Sequence, residues 1–140
     1  MKKKIAFSLM LFTALTFLGC SLGDEQENFH FVALPITSVE MPESFVLNET
    51  YEIKVTYLRE SDCEYFEGFD ILKEDTTVRN VAAIGSMLSD SDTCKEISQE
   101  IETSFNFIVL YNQTYTFKYF TGIDENGDAQ FIEIEVPVTE

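Results

Sequence analysis

Apolar and polar side chains alternate at every second position over most of this chain, and this pattern limits what it can fold into. The alternation is clearest in four runs: 51–57, 105–111, 115–119 and 132–138. Successive side chains of a β-strand point to opposite faces, so this period predicts half-buried strands with one face in water. No long segment with the helical period of 3.6 residues follows residue 29, which predicts an all-β domain.

Three less regular segments bring the predicted number of strands to about seven. Runs 63–73 and 77–88 are rich in aromatic and β-branched residues. Run 31–39 contains Pro35, which suits an edge strand that is interrupted or switches sheets. Short strands of this number in roughly 110 residues predict a two-sheet antiparallel sandwich. A small lipocalin-like barrel is the alternative, although that fold usually has eight strands and a longer chain.

Turn residues separate the last predicted strands. Asn112-Gln113 predicts a tight connection, and Asn126-Gly127 is a strong hairpin signal, because both residues accept positive φ angles. The polar stretch 89–99 is the one place where we expect room for a short helical turn, around 93–100.

Residues 112–117, with the sequence NQTYTF, resemble the tyrosine corner of immunoglobulin-like domains. In that family a Tyr near the start of the sixth strand hydrogen-bonds back to the preceding loop, so the resemblance implies this bond for Tyr115. Antibody domains often have Cys two residues later, where this chain has Phe117, and the chain has no Trp. The chain therefore resembles the looser immunoglobulin-like sandwiches of bacterial surface proteins over residues 29–138.

The first twenty residues predict export. Three lysines precede an apolar stretch at 5–18 that is shorter than the roughly 20 residues a spanning helix needs, which is the pattern of a cleaved signal peptide. Leu18-Gly19-Cys20 resembles the lipobox of bacterial lipoproteins, although Phe17 and Leu18 are larger than usual. The resemblance implies cleavage before Cys20 and attachment of fatty acids such as palmitate to it. The alternative is an ordinary signal peptide with an incidental Cys.

This organisation divides the chain into a signal peptide at 1–19, a lipidated Cys with a flexible acidic tether at 20–28, and one domain at 29–140. Ser21 follows the Cys where Asp would signal inner-membrane retention, so the resemblance implies the outer membrane, at its periplasmic face or at the cell surface. The acidic run at 24–27 resembles the surface-export signals of some lipoproteins, and a plain solvated linker is the alternative.

The net charge of the chain argues against a nucleic-acid partner and against electrostatic attachment to a membrane. The formal net charge is −16, and removing residues 1–19 removes three lysines and no acid, which leaves −19. Such a domain repels the phosphates of nucleic acids and of anionic lipids. We therefore expect no nucleic-acid partner and a membrane attachment that relies on acyl chains.

Cys63 and Cys94 remain once Cys20 is assigned to lipid. Two Cys in an exported chain most often form a disulfide, and two free thiols are the alternative. A metal site is not expected, because two Cys and the single His30 supply too few ligands.

Two acidic loops are weak candidates for calcium ligation. Asp124, Asn126 and Asp128 alternate as in an EF-hand loop, but Ala129 stands where that loop needs Gly, and Glu135 at the twelfth position lies in the last predicted strand. Asp90 and Asp92 form the second candidate. The alternative for both is a turn with solvated carboxylates, and we expect neither a metal nor a cofactor.

Three aromatic residues, Tyr65, Phe66 and Phe69, interrupt the alternation around Gly68. They predict either an exposed patch that binds a glycan or protein partner, or core packing around a glycine bulge.

No catalytic motif is present: the chain has a single His and lacks the GxSxG, HExxH and phosphate-loop patterns. We therefore expect a non-enzymatic binding or assembly module of the cell envelope. A structural envelope spacer is the alternative, and a hydrolase or inhibitor without a recognisable motif is a third hypothesis. An exposed aromatic patch would favour the first, and a deep pocket with convergent acids the third.

Overall fold

The computed structural model describes residues 28–89 and 93–139, and these form ten β-strands and no helix. The strands in chain order are β1 (Phe29–Leu34), β2 (Ile36–Glu40), β3 (Phe45–Val46), β4 (Thr50–Ser61), β5 (Glu64–Lys73), β6 (Val78–Leu88), β7 (Glu96–Ile108), β8 (Tyr115–Ile123), β9 (Ala129–Val136) and β10 (Val138–Thr139). The predicted all-β class is confirmed. No helix within this part of the chain has the length and apolar character needed to cross a membrane.

Two main sheets pack face to face. Strands β1, β5, β6, β8 and β9 form a five-stranded sheet, β2, β4 and β7 form a three-stranded sheet, and β3 pairs with β10. Aromatic rings from the two main sheets meet between them, as Tyr57 of β4 stacks on Phe66 of β5 with ring centroids 5.0 Å apart. The predicted sandwich is confirmed.

The details of strand number and direction differ from the prediction. The structure has ten strands rather than about seven, because the segment around Pro35 forms two and because β3 and β10 are two residues long, too short to show alternation. The pairs β6–β8 and β3–β10 are parallel, so the sheets are not wholly antiparallel. Strands in parallel and antiparallel pairs show the same alternation, so the pattern does not predict the direction of pairing.

Pro35 separates β1 from β2, and the chain changes sheets there, as predicted. β1 pairs with β6 in one sheet and β2 with β4 in the other. The proline has no N–H to place in a ladder, but its carbonyl accepts a hydrogen bond of 2.9 Å from the backbone N–H of Leu58. Leu34 and Ile36 on either side are almost fully buried, which holds the crossing point in the core.

The short helical turn expected around 93–100 is wrong for the described part of that segment, because β7 begins at Glu96 and continues to Ile108. The apolar residues in its first half are Ile97 and Ile101, four positions apart among polar residues. This spacing lacks the alternation that marks a strand in a sequence.

The core is built by the inward-facing residues of both sheets, most of them aromatic or β-branched. Phe45, Phe107, Tyr115 and Phe117 form one cluster of rings whose centroids lie between 5.0 and 6.2 Å apart. Tyr115 also uses its hydroxyl, which accepts hydrogen bonds of 3.1 Å from the backbone N–H groups of Leu110 and Tyr111. This is the bond to the preceding loop that the tyrosine-corner resemblance implied.

Strand β6 lies inside the five-stranded sheet and has three neighbours. β5 pairs along one edge, from Arg79 to Met87. On the other edge, β8 pairs with Val78–Val81 and β1 pairs with 83–88. Ala82 lies where one neighbour ends and the other begins, so the sheet has a gap beside it.

Candidate functional site

The two outer faces of the sandwich differ in chemistry. On the three-stranded sheet, the side chains that point away from the core are mainly charged or polar, although Ile108 at the end of β7 is apolar and 53% exposed. Lys54 Nζ lies 3.7 Å from a Glu40 carboxylate oxygen and 3.9 Å from one of Glu102. Ser104 donates a hydrogen bond of 2.7 Å to Glu52. This is an ordinary solvated surface.

The outer face of the five-stranded sheet carries large apolar side chains instead. Strand register places Phe31, Ser86 and Tyr65 in one row across β1, β6 and β5, with Phe31 67% and Tyr65 52% exposed. The same alternation directs further apolar residues to this side, all of them exposed except the half-buried Phe120. We call this surface the apolar face and define it by Phe29, Phe31, Tyr65, Leu72, Leu88, Phe120 and Phe131.

A pocket of about 250 Å³ opens on the apolar face beside Ala82, at the gap between β1 and β8. Its base has small side chains, because Ala33 and Ala82 line it from β1 and β6. Phe120 and Phe131 form one wall, with ring centroids 6.1 Å apart in an edge-to-face arrangement. Leu72 of β5 lines the opposite side. The pocket lies here because the strand paired with this edge of β6 changes from β8 to β1 at Ala82.

The polar side chains of the pocket are those of Asp70 and Asn80, which line it from β5 and β6 and are diagonal neighbours by strand register. The Asn80 side chain also helps to lower the pKa of the Glu74 carboxylate. Asn80 Oδ1 accepts no hydrogen bond from any residue the structure describes, and it is buried from solvent, so a group in the open pocket does not reach it.

The nearest cation is already engaged. Lys118 Nζ donates a hydrogen bond of 2.9 Å to Glu74. This bond lowers the pKa of Glu74 and raises the pKa of Lys118. Asp70 has no cationic partner among residues 28–89 and 93–139. The pocket therefore presents a carboxylate without a cationic partner.

The three aromatic residues predicted as a patch do not lie together. Phe66 stacks on Tyr57, and Phe69 contacts Phe105 with ring centroids 5.1 Å apart, so both contribute to the core. Residues three apart in a regular strand face opposite sides, but a bulge at Gly68, with φ of 151°, brings both rings to the same side. The geometry agrees with core packing around a glycine bulge, and only Tyr65 lies on the apolar face.

Apart from Tyr65, the residues that form the apolar face were missed because apolar side chains occur on both faces of their strands. In β1, Phe29 and Phe31 point outward while Val32 and Leu34 point inward. In β8, Phe120 follows the buried Tyr119 directly. Two adjacent residues of a strand point to opposite faces, so pairs of adjacent apolar residues were the sequence signal that could have indicated an apolar outer face.

The predicted disulfide is confirmed. Cys63 and Cys94 are bonded, with their Cα atoms 5.6 Å apart, and join the start of β5 to the loop before β7. Two hydrogen bonds support the junction: the Asp62 N–H donates to the Lys95 carbonyl at 3.1 Å, and Asp62 Oδ1 accepts from the Lys95 N–H at 2.8 Å. Asp62 and the two sulfurs are close enough to share a metal, but a disulfide offers no thiolate for ligation.

The loop of Asp124, Asn126 and Asp128 is a hairpin turn in which the Asp124 carboxylate faces hydrogen-bond donors. Asp124 Oδ1 accepts hydrogen bonds of 2.9 Å from the backbone N–H groups of Asn126 and Asp128, and Oδ2 accepts one of 3.0 Å from Gln130. The N–H of Asp128 is the main cause of the lowered pKa of Asp124. N–H groups repel a cation, so this geometry favours the turn interpretation over calcium ligation.

Four predicted features lie outside the described residues: the signal peptide at 1–19, the Leu18-Gly19-Cys20 lipobox with Cys20, most of the tether, and the Asp90 and Asp92 pair.

Comparison with known proteins gives no match to any family model, curated protein or solved structure.

Proposed function

We propose that this chain is a lipid-anchored, non-enzymatic protein of the bacterial outer membrane that binds a protein partner through the apolar face. The single observation that supports binding is the contrast between the two outer faces of one sandwich. A spacer has no need of large exposed apolar side chains, whereas several of them on one face are typical of interaction sites.

A protein partner fits the chemistry of this face better than a glycan. Sugar rings need hydrogen-bonding groups beside an aromatic platform. The apolar face is built mainly from Phe and Leu, with Tyr65 as its one aromatic hydroxyl among the defining residues. Phe and Leu match the apolar side chains of another protein.

The membrane anchor is supported by the sequence at the N-terminus. Leu18-Gly19-Cys20 has the lipobox pattern, and the first strand begins at Phe29, nine positions after Cys20. Nine extended residues span at most about 30 Å, so a lipid on Cys20 would hold the sandwich close to the membrane. Each buried CH₂ contributes about 0.8 kcal/mol, which is enough for two or three acyl chains to anchor an acidic domain firmly.

Site-specific photo-crosslinking in intact cells tests the binding proposal. A benzoylphenylalanine at position 31 lies on the apolar face, and the same residue at position 102 lies on the solvated face of the other sheet. We expect a discrete crosslinked protein from position 31 and none from position 102. Equal crosslinking from both positions, or none from either, would contradict the proposal and leave the spacer as the better hypothesis.

Membrane fractionation tests the anchor separately. Cys20→Ala should block cleavage by the lipoprotein pathway, and any Cys20→Ala protein that loses its signal by another route should leave the membrane fraction. Ser21→Ala should have neither effect. If the processed Cys20→Ala protein still sediments with membranes, lipid is not the anchor.

A further inference from the structure

The pocket beside Ala82 has no positively charged side chain among the described residues that line it. Its walls are largely apolar, and the Asp70 carboxylate lies among them. A ligand that carries a cation on an apolar stem would complement both the carboxylate and the apolar walls.

We propose that the pocket binds the side chain of a Lys or Arg from an extended segment of the partner. The alkyl stem lies against Leu72 and Ala82, and the cationic head reaches the Asp70 carboxylate. The rings of Phe120 and Phe131 lie beside the cation, where their π-electrons add attraction. This assignment rests on the proposed function, because it specifies what the apolar face recognises.

The size of the pocket fits a side chain. Pockets for drug-sized ligands and cofactors usually measure about 300–1,000 Å³, and this one measures about 250 Å³. A single long side chain can occupy it while its flanking residues cover the apolar face around Phe31 and Tyr65.

The charge of the chain favours a basic partner. With a formal net charge of −16, the protein attracts cationic segments over distances of about one Debye length and repels acidic ones. An anionic ligand would face Asp70 directly. A purely apolar side chain would fill the volume but would leave the Asp70 carboxylate without a cation.

Peptide titration tests the assignment with the full chain held in nanodiscs of neutral lipid. The probes are acetyl-Val-Leu-Lys-Leu-Val-amide and the same peptide with norleucine or Glu in place of Lys, with empty nanodiscs as the blank. Calorimetry should show the Lys peptide binding about two- to fivefold more tightly than the norleucine peptide, the range of a partly exposed ion pair. The Glu peptide should bind more weakly than both.

Two isosteric variants locate the effect. Asp70→Asn should remove the preference for Lys over norleucine without lowering the melting temperature. Glu100→Gln removes the same charge from the outer face of the other sheet and should keep the preference. Equal binding of the Lys and norleucine peptides, an unchanged preference in Asp70→Asn, or no binding of any peptide would each overturn the assignment. Crosslinking from position 31 that persists in those cases would show that the apolar face binds a partner and that only the cation site fails.

Discussion

Tyr115→Phe is the perturbation for which the structure makes the sharpest prediction. The side chain of Tyr115 is fully buried, and its ring contacts Phe107 and the guanidinium of Arg79 at centroid distances of 5.2 and 5.5 Å. Phe keeps these contacts. The substitution therefore removes only the hydroxyl that holds Leu110 and Tyr111.

The expected loss follows from the two hydrogen bonds. Each of the two hydrogen bonds makes a net contribution of about 0.5–1.5 kcal/mol, so the free energy of unfolding should fall by about 1–3 kcal/mol. For a domain of this size, a loss of 1 kcal/mol lowers the melting temperature by about 4 °C. The variant should therefore melt about 4–12 °C below the parent.

Tyr119→Phe is the matched control. Tyr119 lies on the same strand, is equally buried and also loses a hydroxyl, but that hydroxyl reaches only the Met41 sulfur, at 3.1 Å. Thioether sulfur is a weak acceptor, so this variant should lose less than about 1 kcal/mol. Urea unfolding followed by tyrosine fluorescence or circular dichroism measures both changes. Equal losses of unfolding free energy in the two variants, or no loss in Tyr115→Phe, would refute the inference that the Tyr115 hydroxyl holds the loop before β8.

Three further predictions concern the disulfide and the last hairpin. Replacing both Cys63 and Cys94 by Ala should lower the free energy of unfolding by about 3–4 kcal/mol, because the bridge closes a loop of 31 positions; a loss below 1 kcal/mol would show that the unfolded chain is not constrained by it. Asp124 has a pKa below its ordinary 3.8, so its hydrogen bonds stabilise the fold above about pH 5 and this contribution is lost as the pH falls through the lowered pKa. Asp124→Ala should therefore reduce the melting temperature at pH 7 and differ little from the parent near pH 2.5, whereas Glu125→Gln in the same turn should not reproduce this pattern. Calcium at millimolar concentration should leave the melting temperature unchanged, and a clear rise would show that Asp124, Asn126 and Asp128 ligate the ion despite the donors around Asp124.

Local patterns predicted much of the fold. The runs 63–73 and 77–88 became β5 and β6 within a residue at each end. Pro35 marked the change of sheet, and Asn126-Gly127 marked the last hairpin, where Gly127 has φ of 89°. These features depend on a residue and its nearest neighbours, which is why one sequence is enough to predict them.

The candidate site depended on contacts between distant parts of the chain. Asp70, Ala82 and Phe120 belong to three strands, and they share a pocket because β6 pairs with β8 in parallel and then with β1. Alternation carries no information about which strands become neighbours or in which direction. For the same reason it did not predict the parallel pairs.

The sequence by itself determined an all-β chain, the places where strands begin and turn, the pair of Cys that bonds, and a strongly acidic charge. Only the tertiary structure decided which apolar residues face the core and which face outward. Phe31 and Val32 are both apolar and adjacent, yet Val32 packs inside while Phe31 lies on the apolar face. The period of two places neighbouring residues on opposite faces, but the packing of the second sheet selects the face that is buried.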